Sequence, residues 1–98
     1  MTIPLSLQSI LWSSNIQSLN LEKDRVYIIH QILAYGDIVD IKWLFDTYPK
    51  AIIKTVFTSN PYKDYRKSRF YFVKDIVMNL AQKTLLESSY VKNIPRNI

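Results

Sequence analysis

Apolar positions along the chain recur at three- and four-residue intervals, the spacing of helices, and seldom alternate as strands do. In "PLSLQSILWSS" the residues Leu7, Ile10 and Leu11, followed by Trp12, predict a short helix. "NIQSLNLEKD" reads as a connector. Asn20 is placed to cap the next helix, although Lys23 stands where a capping box wants Glu or Gln. Ser18 with Glu22 is an alternative start, and Glu22 and Asp24 suit the positive end of the helix dipole. From about residue 22 to 35, Val26, Ile29 and Leu33 keep the helical interval, and Ile28, Ile32 and Tyr35 widen the apolar face. Gly36 is expected to end this helix in a left-handed conformation. Asp37 caps a helix over about 38–48 with a stripe of Ile38, Ile41, Phe45 and Tyr48, and Trp43 and Leu44 beside it. Pro49 ends it or starts the next, "KAIIKTVFTS", whose Ile52, Ile53, Val56 and Phe57 share one side.

Asn60-Pro61 marks a break, because the residue before proline disfavours helix. A long final helix is predicted from about 66 to 88, burying Phe72, Val73, Ile76, Val77, Leu80 and Ala81. The polar tail over 89–98 is expected to be flexible. The sum is one all-α domain spanning 1–98, a small bundle of four to five helices. Three consecutive helices, about 37–48, 50–58 and 66–80, have lengths that allow a helix-turn-helix-like trihelical unit without demanding one.

Composition supports this reading. A single glycine, Gly36, is too few for the turns of a β-rich fold. The absence of cysteine excludes disulfides and thiolate metal sites. No apolar run approaches the roughly 18 residues of a membrane span, and "MTIPLSLQSILW" lacks a basic leader. The chain therefore reads as soluble and cytoplasmic. The net charge of +5 is unevenly placed: residues 1–49 carry five acids against three bases, and residues 50–98 carry three acids against ten bases. Such asymmetry points one half toward a polyanion or an acidic partner.

No phosphate-binding glycine loop, nucleophile elbow, zinc-protease motif or calcium loop occurs. His30 is the one histidine, and inside "VYIIHQIL" it reads as a packed or rim residue rather than a ligand. Asp37 and Asp40 resemble a carboxylate pair, but Asp37 already has a capping task. No cofactor, metal or catalytic residue is expected, and the chain reads as a non-enzyme.

The densest chemistry lies in "NPYKDYRKSRFYF", residues 60–72, with four cations, five aromatic rings and one acid, Asp64. Lys63, Arg66, Lys67 and Arg69 precede or occupy the first turn of the expected last helix, where cations oppose the helix dipole. A bound anion would reverse that cost, and Tyr62, Tyr65 and Ser68 would add hydroxyl donors to a phosphate. The competing reading is a solvated helix start whose cations pair with Asp64 or with acids of the first half. Lys63, Arg66, Lys67, Arg69, Lys74, Tyr62 and Tyr65 are thus the candidate nucleic-acid or partner contacts. Trp12 and Trp43 are candidates for a protein interface, where tryptophan is enriched.

The starts "ILWSSNIQSLNLEKD" and "IIHQILAYGDIVDIKWLF", with the "YGD" turn followed by "WLF", resemble a family of small uncharacterised prokaryotic proteins over about residues 10–59. Members are often encoded beside nucleotidyltransferase-type toxins, so the resemblance implies an antitoxin-like or accessory role. That family usually begins its last helix with Ser-Pro-Lys-Thr. Here the region reads "SNPYKDYRKSRFYF", and Ser68, Phe70 and Phe72 are the corresponding positions. The expectation is an antitoxin-like protein that binds a toxin and also operator DNA through the segment 63–74. The alternatives are a stand-alone helix-turn-helix DNA-binding protein and a structural interaction module without nucleic-acid binding.

Overall fold

A computed structural model describes residues 3–82 and 84–92. Its centre is helix α1, Arg25–Tyr35. Before it, Asn20 Oδ1 accepts the N–H groups of Glu22 and Lys23, each at 2.9 Å, and Asp24 Oδ2 accepts the Asn20 N–H at 2.8 Å. Asn20 therefore caps the turn that leads into α1 and not α1 itself, which starts three residues later than expected, after Asp24, whose side chain turns back to Asn20 instead of capping the helix. Every residue from Ile28 to Ala34 is buried, so these two turns of α1 are covered on all sides rather than along one stripe, while Arg25 is exposed and Tyr35 half-buried.

Gly36 ends α1 for a different reason from the one expected. Its φ of −74° and ψ of 158° are extended, not left-handed. A Cβ there would stand 2.7 Å from the Ile32 carbonyl oxygen and 2.9 Å from Asp40 Cβ. Glycine is needed because α1 and the start of the next helix, at Asp40, approach too closely at this turn for a side chain. Helix α2, Ile38–Thr47, starts with a complete capping box: Asp37 Oδ1 accepts the Asp40 N–H at 3.1 Å and Asp40 Oδ2 accepts the Asp37 N–H at 3.0 Å. Both carboxylates of the apparent pair are thereby spent on backbone. Leu44 and Tyr48 are buried, and the Tyr48 hydroxyl donates to the Leu21 carbonyl at 2.7 Å. Ile38, expected in the buried stripe, is instead 73% exposed. Helix α3, Lys50–Ser59, follows Pro49 directly and buries Ile53, Val56 and Phe57.

Both α2 and α3 pack on α1. Helix α1 is therefore the hub on which α2 and α3 are arranged.

The long final helix is corrected most. Helix α4 covers only Lys67–Tyr71 and passes into a π-helical stretch, Phe72–Val77. The Met78 N–H reaches back five residues to the Val73 carbonyl at 2.8 Å, and Asn79 turns left-handed with φ 55°. One extra residue per turn changes which side faces inward. Phe70, Val73 and Met78 are buried, whereas Phe72, Ile76 and Ala81, placed in the core by a regular helical period, are exposed.

The tail expectation also changes over 89–92; its remainder lies outside the described residues. Tyr65 and Val91 form a parallel bridge, with the Tyr65 N–H donating to the Tyr90 carbonyl and the Lys92 N–H to the Tyr65 carbonyl, both at 2.9 Å. Tyr90 is buried and donates its hydroxyl to the Phe57 carbonyl at 2.6 Å. Its ring lies 5.1 Å from that of Phe57 and 4.9 Å from that of Phe70. This cluster fastens the C-terminal third to α3. Among the described residues no strand occurs beyond that single bridge, and no helix is long and apolar enough to cross a membrane.

Gly36→Ala is expected to destabilise the fold by about 1–3 kcal/mol, the cost of overpacking a closed contact. The check is a urea melt: a midpoint unchanged from the parent protein would refute the close-approach account of this glycine.

Candidate partner-binding surface

The cation-rich segment divides into groups that face inward and groups that face solvent. His30, one helical face away from the apolar stripe of α1, decides much of the inward part. Its Nδ1 lies 2.8 Å from the Tyr65 hydroxyl and its Nε2 lies 2.7 Å from the Asn60 carbonyl oxygen. A carbonyl can only accept, so Nε2 carries the proton and Nδ1 accepts from Tyr65. Neutral imidazole is thus satisfied at both nitrogens. The Tyr62 ring stacks on it at 5.0 Å, and the Tyr62 hydroxyl donates to Gln31 Oε1 at 3.1 Å. Burial lowers the His30 pKa to about 4, against partial opposition from the Asn60 and Val56 carbonyls. Burial likewise pushes the Tyr65 phenol well above its usual value.

Four of the candidate contact residues hold structural positions. Tyr65 is fully buried, and Tyr62 is half-buried with its hydroxyl engaged. Arg69 reaches under α4 to the end of α1. Its Nε donates to the Leu33 carbonyl at 2.7 Å and its Nη2 to the Gly36 carbonyl. The guanidinium thus caps free carbonyls at a helix C-terminus, where positive charge is favoured. Burial holds its pKa below the ordinary value. Lys74 is buried within the π-helical stretch, with Nζ 2.7 Å from Asp75 Oδ1.

Lys63, Arg66 and Lys67 remain exposed, and none lies in an ion pair among the described residues. Asp64, the acid expected to neutralise them, pairs with Lys92 at 3.0 Å. Of the tryptophans, Trp43 is half-buried against the core. Trp12 is 55% exposed and sits edge-on against Tyr35, with ring centroids 4.8 Å apart.

Tyr35 lines an open groove of about 780 Å³ between the α1–α2 corner and α4. Ala34, Ile38, Ile41 and Phe72 give it apolar walls, and Arg66, Ser68 and Arg69 occupy one side. Beside Ile38, Val39 is also 73% exposed. Ile38, Val39 and Phe72 had been overlooked as surface residues. For Ile38 and Val39 a signal was present, because the first turn of a capped helix projects beyond the core. For Phe72 there was none, because its outward turn depends on the π-helical stretch.

The chain belongs to the DUF6922 family, a family of unknown function, whose profile matches residues 7–58. The match runs from the first short turn through α3. No curated protein and no solved structure matches the chain.

Two outcomes follow from this geometry. His30 is neutral in both the folded and unfolded states above pH 6.5, so its contribution to stability is complete there. As pH falls from 6.5 toward 4, the unfolded chain takes up a proton that the folded one refuses, and stability drops by up to about 1.4 kcal/mol per pH unit. Urea melts between pH 6.5 and 5 should show this slope, and His30→Gln should remove it. Arg69→Ala is expected to cost about 2 kcal/mol through its lost charged hydrogen bonds, while Arg66→Ala leaves the melting temperature unchanged. Equal melting temperatures for the two variants would contradict the division of the arginines.

Proposed function

We propose that the chain is a non-enzymatic binding protein, an antitoxin-like component that holds a toxin-like partner protein by direct contact. The observation that carries this reading is the open groove at the α1–α2 corner, where the exposed side chains of Ile38 and Phe72 line one cleft with Tyr35, on which Trp12 rests; Leu5, Ile76 and Leu86 are exposed apolar residues outside it. Exposed apolar side chains grouped in this way mark interaction surfaces rather than the scattered leucines of any protein surface. Trp12 on Tyr35 also has the character of an interface anchor, a large ring with one face already supported. The antitoxin-like part rests on the sequence resemblance and not on family membership, since the family is one of unknown function.

A second reading has its own support. Lys63, Arg66 and Lys67 are exposed cations without acidic partners among the described residues, the arrangement phosphate contact requires. Operator binding would use this smaller set rather than the whole 63–74 segment, because Lys74 is buried against Asp75 and Arg69 is half-buried, with two of its donors on α1-end carbonyls.

The test is capture of partners by the tagged full chain from its native cells, with and without nuclease. A protein partner that survives nuclease, and whose affinity falls at least about tenfold with Trp12→Ala, is the expected result. Recovery of only nuclease-sensitive material would favour the DNA reading. Duplex affinity should then fall by about 0.9 log units per log unit of salt for each phosphate neutralised, with a shallower slope after Arg66→Ala and Lys67→Ala.

A further inference from the structure

The groove beside α4 has a chemical asymmetry that narrows what it fits. Its α4 side carries Arg66 and Arg69, and neither guanidinium is in an ion pair among the described residues. Arg69 is half-buried and satisfied only by neutral carbonyls, Leu33 and Gly36, which take two of the five N–H donors of a guanidinium. A partly desolvated cation without a counter-charge gains strongly from a carboxylate brought to it. The Ser68 side chain is exposed on the same side. The wall formed by α2 and its N-cap has apolar Ile38 and Ile41 and the carboxylate of Asp37, which the capping box joins to Asp40 behind it. Phe72 closes one side, with the Arg69 guanidinium 5.8 Å from its ring centroid.

We propose that this groove receives an acidic segment of a partner protein, with a carboxylate between Arg66 and Arg69 and a neighbouring apolar side chain against Ile38, Ile41 and Phe72. The inference deepens the partner-binding reading above and rests on it. The two walls set the direction of the segment: its acid faces α4, and its apolar residue lies toward α2, away from Asp37 and Asp40. A nucleic-acid backbone fits less well, because a continuous polyanion would pass the α2 carboxylates and leave the apolar wall uncovered. The groove's volume suits one or two anchoring side chains rather than a whole domain.

Peptides of about twelve residues, the length of a groove-bound segment, are selected from a randomised display library against the full chain. The winners are synthesised and measured by fluorescence anisotropy. The expected winners carry Asp or Glu next to Leu, Ile or Phe. Their affinity should fall at least about tenfold with Arg66→Glu and again with Ile38→Asp, both exposed positions whose variants are first checked for an unchanged melting temperature. Changing the peptide's acid to Lys should restore binding to the Arg66→Glu protein. The proposal is overturned if no peptide is selected, if the winners are basic, or if they bind both variants as well as the parent. It is also overturned if a DNA duplex of about 20 base pairs loses affinity with Arg66→Glu in a salt-dependent manner while no peptide is enriched. A cellular partner that binds both variants unchanged would remove the groove and leave the partner reading standing. Selected peptides with no cellular protein partner would do the reverse.

Discussion

Burial of α1 on every side from Ile28 to Ala34 is the constraint from which the remaining structure follows. A helix covered on every side must bury its polar residues too, and His30 and Gln31 are both inside. Each therefore needs partners from other segments, since an unpaired buried polar group costs more than a hydrogen bond returns. Gln31 obtains them from the Ile10 carbonyl, at 2.7 Å, and from the Tyr62 hydroxyl. His30 obtains them from Asn60 and Tyr65. These two adjacent residues thus fix the paths of the N-terminal segment and of the 60–65 connector against α1.

The same logic accounts for the crowding of rings and cations in residues 60–72. Tyr65 closes the histidine site, Phe70 joins the cluster of Phe57 and Tyr90, and Arg69 caps the end of α1. These are structural tasks that bring distant segments together. What they leave at the surface is a short cationic strip of Lys63, Arg66 and Lys67 next to an apolar groove. The surface follows from the core: Arg69 must lie beneath α4 to reach the α1 carbonyls, and that places its unpaired charge in the groove.

The irregular end of α4 belongs to the same account. A regular helix from 66 onward would turn Phe72 and Ile76 inward. The π-helical stretch buries Val73 and Met78 instead and turns Phe72 and Ile76 to solvent. Such stretches often mark functional positions. Here the consequence is concrete, because Phe72 becomes a wall of the groove.

The sequence by itself determined the helical class, the extents of α2 and α3, the end of α1, the cap at Asp37, and the break at Asn60-Pro61. These depend on local interactions: apolar spacing within a few turns, side chains that reach their own backbone, and the steric demand of proline. It also marked His30 as packed and the 60–72 segment as chemically dense. The tertiary structure alone decided which of those cations are free. Arg66 and Arg69 are three residues apart and chemically identical, yet one is solvated and the other is bound to carbonyls more than thirty positions earlier. It alone decided that Gly36 answers to close packing rather than to a left-handed turn, that Tyr90 is core, and that the last helix ends at Val77. Each of these depends on contacts between residues far apart in the chain, and no local pattern encodes the distance at which two helices meet.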